Sequence, residues 1–158
     1  VGDGVNAAHI NTVLGSLGGP VETAWVTALA TPRAGHAAFV AAVQPGIAVR
    51  PHTLFVNKAT IASDLHGRLT WGAAQAGVSG GVLDAVADSI IPSPIDEMLL
   101  IVAVWVNPEA VDESAVYANN RAATRQALEA GQLGLPSVDT SVSARANPSN
   151  AYFALPES

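Results

Sequence analysis

The sequence contains no cysteine. Disulfides, zinc fingers, thiol catalysis and iron–sulfur ligation are therefore excluded. Lysine is nearly absent: six of the seven basic residues are arginine, and Lys58 is the single lysine. Charged residues make up 13% of the chain, against about 25% in an average soluble domain. The balance is 7 basic to 13 acidic, a net of −6, which opposes nucleic-acid binding because a phosphate backbone needs a basic face. Long apolar runs are missing too. The longest, Leu99 to Val106 with Met98 before it, falls far short of the roughly 20 residues of a membrane span.

What is present is a chain of 158 residues, 49% apolar, with a mean hydropathy of +0.33. At about 150 residues per domain this is one domain, and its apolar content must be buried, which excludes disorder. A surface so poor in charge is expected to be partly hidden between subunits, so a homo-oligomer is expected. No apolar leader is visible at the start, and cytoplasmic is the expected location. The chain opens on Val1 instead of methionine, so residues ahead of it are expected.

The pattern along the chain predicts the order β-α-β-β-α-β-α, hence an α/β or α+β two-layer sandwich. Val5 to Leu14 reads as a strand ending at Gly15, with His9 and Asn11 on one face because side chains alternate. Gly18-Gly19-Pro20 opens a helix in which Val21, Ala24, Trp25, Ala28 and Leu29 form the apolar stripe, and Thr31-Pro32 stops it. His36 to Val43 and His52 to Ile61 read as strands around a Gln44-Pro45-Gly46 turn, the second placing Leu54, Val56, Lys58 and Thr60 on one face. Trp71 to Ile90 has helical spacing. Gly77, Gly80 and Gly81 inside it each cost about 1 kcal/mol relative to alanine, which implies close packing or a later helix start. The β-branched run from Met98 to Val106 predicts a buried central strand. Asp112 to Ala130 predicts a last helix capped by Asp112. Residues 1–131 form the domain, and 132–158 are expected to be its extended C-terminal tail, lying on this or a neighbouring subunit.

Several residues are candidates for chemistry. His9 can act as an acid or base near neutrality, or simply bond a carbonyl. His36, His52 and His66 sit near strand ends or turns and invite the structural explanation more strongly. Lys58, on a strand, suits anion binding or a Schiff base, and equally suits an edge-strand lysine that discourages aggregation. Gln75 interrupts an apolar stripe and needs partners, either a ligand or a helix–strand hydrogen bond. The paired carboxylates Asp96-Glu97 and Asp112-Glu113 sit at element ends and read as solvated caps. No His, Asp and Glu cluster has metal-ligand spacing, so no metal is expected.

The segments GDGVNAAHIN, GGPVETAW, RPHTLFVNKATI and WGAAQAGV resemble the formaldehyde-activating enzyme family. The resemblance runs without gaps from Gly2 to about Gln75, weakens through Val106 and persists in PEAVDESAVYANNRAATRQAL; Tyr152-Phe153-Ala154 resembles the family's ending. It implies condensation of formaldehyde with tetrahydromethanopterin as co-substrate, giving methylene-tetrahydromethanopterin and water without a metal. It further implies a fold like the second domain of a small-subunit ribosomal protein, and a homopentamer with each pterin site between neighbouring subunits. By the same resemblance His9 matches the catalytic proton donor, and Lys58, Thr60 and Gln75 match pterin-contacting positions. Val40 stands where the family usually has leucine. Asn11 stands where it has a pterin-contacting aspartate, and Val106-Asn107-Pro108 replaces a histidine–tryptophan stretch. A carboxylate only accepts hydrogen bonds, whereas an amide also donates. Asn11 therefore motivates an alternative: a homologue that uses a different reduced pterin or carbonyl, or a non-catalytic pterin- or aldehyde-binding protein.

Overall fold

A computed structural model describes residues 1–149. Strand β1 (His9–Ser16) is followed by helix α1 (Pro20–Ala30), strand β2 (Ala38–Val40), a small hairpin of β3 (Ala42–Gln44) and β4 (Ile47–Ala48), and strand β5 (His52–Asn57). Helix α2 (Asp64–Arg68) runs through a π-helical turn, Leu69–Ala74, into α3 (Gln75–Ala87). Strand β6 (Met98–Trp105), helix α4 (Glu113–Gln132) and the short helix α5 (Val138–Ala144) complete the order. The main sheet is mixed, ordered β1-β6-β5-β2, with β6 antiparallel to β1 and parallel to β5. The expected α/β sandwich is what forms.

Alternation sorts the sheet into two faces. Leu100, Val102 and Val104 of β6, with Phe55 of β5, point at α3 and α4 and build the core with Val78, Val82 and Val116. Phe39 stacks on Phe55 at 5.1 Å between ring centroids. The opposite face carries His9, Asn11, Val13, Ala103, Trp105 and Val56, and α1 covers only part of it. Although Glu22 is its one charged residue, α1 has no buried residue.

Several expected boundaries shift, each for a local reason. The first strand begins at His9 instead of Val5, because Asn6 is engaged elsewhere: its Oδ1 accepts from the Val111 and Asp112 N–H groups, and its carbonyl accepts from Asn119 Nδ2. The strand also continues through Gly15, which pairs with Leu99 and leaves room for Val21 of α1, so this glycine is a contact point and not a stop. The strand expected over His36 to Val43 is split at Ala41, whose carbonyl turns to accept from Val49 N–H. The next strand stops at Asn57, short of Ile61. The buried Asn57 side chain both donates to the Ala59 carbonyl and accepts from its N–H, bending the chain.

The second long helix starts well before Trp71, at a Ser63 cap whose Oγ accepts from His66 N–H. His66 is therefore a buried helical residue, not one at a strand end or turn. The internal glycines of α3 are explained by close packing. A Cβ at Gly77 would collide with the Tyr117 carbonyl oxygen, and one at Gly81 with the Arg121 carbonyl oxygen and with Thr124 Cβ at 2.8 Å. The expected Asp112 cap forms, with Oδ1 accepting from Ala115 N–H. The tail expected to be extended contains α5, started by Ser137 accepting from Thr140 N–H. The expected Tyr152-Phe153-Ala154 ending lies outside the described residues.

Ion pairs lock the α3–α4 contact at its rim. Arg121 donates bidentately to Asp84 at 2.7 Å, and Arg125 donates to Asp88 at 2.8 Å. Replacing Gly81 with alanine should destabilise the fold by about 1–3 kcal/mol, measured by urea denaturation, because the helix backbones must separate; an unchanged midpoint would show that the helices part freely. The Arg121 hydrogen bond holds the Asp84 carboxyl below its ordinary value of about 3.9. A lowered folded value means the unfolded chain takes up the proton first. This contribution is then complete above about pH 4 and disappears as pH falls through the folded value. Asp84→Asn should accordingly be less stable than the native protein at neutral pH, and the gap should close on acidification. A gap independent of pH would exclude the ionic contribution.

Candidate functional site

The pairing of β1, β6 and β5 assembles the site. His9 lies opposite Trp105, and Asn11 opposite Ala103, which is in turn opposite Val56. Lys58 follows β5 directly, and its N–H donates to the Val104 carbonyl at 2.9 Å, carrying the parallel register one residue beyond the strand. Its side chain is thereby on the His9 face. From there it crosses β6, a span of about two strand spacings or roughly 10 Å, and Nζ donates to Asn11 Oδ1 at 2.6 Å. The small Ala103 leaves the space between.

His9 is exposed and has no side-chain hydrogen bond within the described residues, so its imidazole is available to a ligand. Lys58 has no carboxylate partner there. The ion pairs of the described residues join Arg50 to Asp96, Arg121 to Asp84, and Arg125 to Asp88 and Glu129. The edge-strand explanation for Lys58 does not hold, since β5 is internal and β1 and β2 are the edges. The Asn57 turn fixes where Lys58 leaves the sheet.

The other expected residues stand apart from this group. Thr60 is not on a strand face with Lys58 but in the following loop, with Oγ1 against Gly35 (φ +75°), where a Cβ would approach it to 2.9 Å. Val40 ends β2 and pairs with Leu54, on the α1 face but at the far edge. Gln75 lies in the other layer. Its Nε2 donates to the Ala42 carbonyl at 2.8 Å and to Ser79 Oγ at 2.9 Å, the helix–strand hydrogen bond, which leaves only Oε1 for another partner. A single chain thus gathers His9, Asn11 and Lys58 and leaves Val40 and Gln75 beyond β5.

Some contributors were not visible in the pattern. Trp105 read as part of an apolar run; its cross-strand partner His9 makes it a wall of the site, and only register reveals that. His66 Nδ1 accepts from Ala62 N–H at 3.1 Å, so the ring proton sits on Nε2 and is donated to the Val106 carbonyl at 3.0 Å. This buried histidine ties the loop after β5 to the end of β6 and is not available to a ligand. Between α1 and the sheet lies a cleft of about 550 Å³ lined by Thr23, Thr27, Arg33, His36 and Val56. Among the described residues, no group of three or more His, Asp or Glu side chains is placed to hold a metal ion, and no helix is long and apolar enough to cross a membrane.

An exposed histidine beside a lysine–amide pair on a mixed-sheet face is an arrangement able to support acid–base chemistry on a small ligand. Comparison with known proteins gives the family. The family model described as "Formaldehyde-activating enzyme (Fae)" matches residues 1–153, including the stretch through Val106 where the resemblance is weakest. The chain is 39% identical over 155 residues to "5,6,7,8-tetrahydromethanopterin hydro-lyase" of Methanosarcina barkeri, an alignment covering 98% of this chain and 86% of that protein. It is 36% identical to a "Bifunctional enzyme Fae/Hps" of Methanococcoides burtonii and 34% identical to one of Methanothrix thermoacetophila, covering 89% and 88% of this chain but 36% of each relative. The chain belongs to the formaldehyde-activating enzyme family.

Proposed function

We propose that the protein condenses formaldehyde with tetrahydromethanopterin, giving methylene-tetrahydromethanopterin and water, with His9 as the proton donor. The observation that carries this reading is His9 itself, unbonded and exposed beside the Asn11–Lys58 pair in a chain of this family. A secondary amine of the pterin adds to the formaldehyde carbon, and its proton passes to oxygen, leaving a hydroxymethyl group. Loss of that hydroxyl as water requires a proton, which the His9 imidazolium supplies. The iminium left behind is attacked by the second amine nitrogen, the arylamine beside the ring, which releases a proton and closes the methylene bridge. Formaldehyde and two N–H bonds become one N–CH2–N unit and water, and His9 recovers its proton from the medium. The rest of the site positions the pterin, with Lys58 and Asn11 as polar contacts, Trp105 as an aromatic wall and Thr60, Val40 and Gln75 as further binding residues.

The working unit in this proposal is a cytoplasmic homopentamer with each pterin between two subunits. Three features support an assembly. Strand β1 is an open edge without a charged side chain other than His9 when protonated. Helix α1 is apolar, yet Val26 and Leu29 are exposed. Val40 lies on the opposite edge strand from His9 and Gln75 in the helical layer, so a ligand touching both groups needs two copies.

Acceleration of methylene-tetrahydromethanopterin formation over the protein-free reaction should be measured by absorbance, with tetrahydrofolate run in parallel. His9→Ala should lower the catalysed rate by about 10²–10⁴-fold with assembly unchanged. A rate equal to the native one removes His9 as the donor, and acceleration with tetrahydrofolate alone favours the different-pterin alternative that Asn11 motivates. In the ultracentrifuge the native protein should sediment as five chains, and Val26→Glu should shift it to smaller species; a native monomer would overturn the assembly.

A further inference from the structure

We propose that the cleft between α1 and the sheet is a second binding subsite, which takes an oxyanion, a phosphate or a carboxylate, carried by the ligand at a distance from its reacting heterocycle. This rests on the proposed pterin site and extends it to the anionic end of the pterin's side chain. The cleft holds about 550 Å³ between two unlike walls. On one wall Thr23 and Thr27 of α1 and its C-cap Thr31 recur every four residues, and so stack on one face. The Thr31 hydroxyl donates to the Thr27 carbonyl, which leaves the hydroxyls of Thr23 and Thr27 for another partner. The facing wall is the turn Arg33-Ala34-Gly35-His36. His36 N–H donates to the Arg33 carbonyl at 2.9 Å, and the two residues form an antiparallel bridge, so their side chains leave on the same side. Gly35 closes the turn at φ +75°, with Thr60 Oγ1 where a Cβ would point. The turn is thereby seated on the loop that carries Lys58.

Charge selects the occupant. No acidic residue lines this cleft, although the chain has 13 acidic residues to 7 basic ones. Arg33 has no ion pair among the described residues. Arg68 has none there either, but it shares its own cavity with Asp64 and Glu113, which offset its charge. The Arg33 guanidinium is always charged, and its forked N–H donors match the oxygens of a phosphate or carboxylate. His36 adds a second charge when protonated, and the threonine hydroxyls add neutral donors. The remaining lining is apolar, Pro20, Ala24, Ala28 and Val56, and suits the carbon chain that leads to the anion. Val56 also fixes the distance. It lies opposite Ala103, which lies opposite Asn11, so the cleft floor is two strand spacings, or roughly 10 Å, from Asn11 along one row of the sheet. A bare pterin ring at His9 and Asn11 does not span that gap, whereas a pterin with an extended acidic side chain does.

The test compares two pterins by calorimetry without formaldehyde: tetrahydromethanopterin, and the short, neutral 6-methyltetrahydropterin. Each is titrated into the native protein, Arg33→Ala and Arg33→Lys. Arg33 is exposed, so both variants should fold. Arg33→Ala should weaken tetrahydromethanopterin by about 10–100-fold, the worth of a charged hydrogen bond, and leave 6-methyltetrahydropterin unchanged. Arg33→Lys should recover part of the loss, because it restores the charge without the fork. Tetrahydromethanopterin binding equally to native protein and Arg33→Ala overturns the inference. So does an equal loss for both pterins, which would place Arg33 at the heterocycle or in the fold. Inorganic phosphate and glutarate, titrated separately, show which oxyanion the cleft prefers, and the one that binds the native protein should fail to bind Arg33→Ala. These probes also separate the subsite from the proposed activity. Oxyanion binding that depends on Arg33, in a protein that binds neither pterin, keeps the anion site and removes the pterin reading. Acceleration that depends on His9, with tetrahydromethanopterin indifferent to Arg33→Ala, does the reverse.

Discussion

Strand β6 accepts β1 in antiparallel register on one side and β5 in parallel register on the other, and the site depends on that double pairing. Its residues alternate between two tasks. Leu100, Val102 and Val104 enter the core against α3 and α4, while Ala103 and Trp105 form the floor between His9 and Lys58. A slip of one residue on either side would turn His9 or Lys58 into the helical layer, where an unpaired polar group is costly. The burial that stabilises the sheet is therefore the same constraint that places the imidazole and the ammonium on one open face.

The helical layer makes that register hold. Gly77 and Gly81 let α3 approach the backbone of α4 at Tyr117 and Arg121, and the arginines of α4 reach back to Asp84 and Asp88 at the rim. Asn6 and Asn119 then bind the N-terminal segment to the start of α4, so the chain enters β1 at His9 from a fixed point. Asn57 and His66 do the same at the other end, holding the loop in which Lys58 and Thr60 stand. These polar side chains act by satisfying backbone groups that leave regular structure, and among the described residues the His9 side chain is left without an internal hydrogen-bond partner.

The opposite face has a different character. Helix α1 and edge strand β1 together present Val13, Val26 and Leu29 to solvent in a single chain. An apolar face beside an open strand edge is the usual condition for self-association, and it adjoins the residues that would bind the ligand. In the proposed assembly, catalysis and oligomerisation would then share one surface. The exposed amide of Asn11, accepting from Lys58, lies on that surface.

The sequence by itself determined the kinds of element and their order, because apolar spacing, caps and glycines act locally: Pro20 starting α1, Asp112 starting α4, and the β-branched run making β6. It also placed His9 and Asn11 on one strand face, since alternation needs no partner. The family resemblance extended this to Lys58, Thr60, Val40 and Gln75 as a set. Only tertiary structure decided which of these meet. Lys58 reaches Asn11 because two registers on β6 align them, and Thr60 leaves that face because the Asn57 side chain captures Ala59. Trp105 becomes a site wall by pairing with His9, and His66 becomes a buried tie by meeting Val106. Each of these depends on contacts between residues distant in the chain, with geometry set by packing and strand register, which a local pattern does not encode.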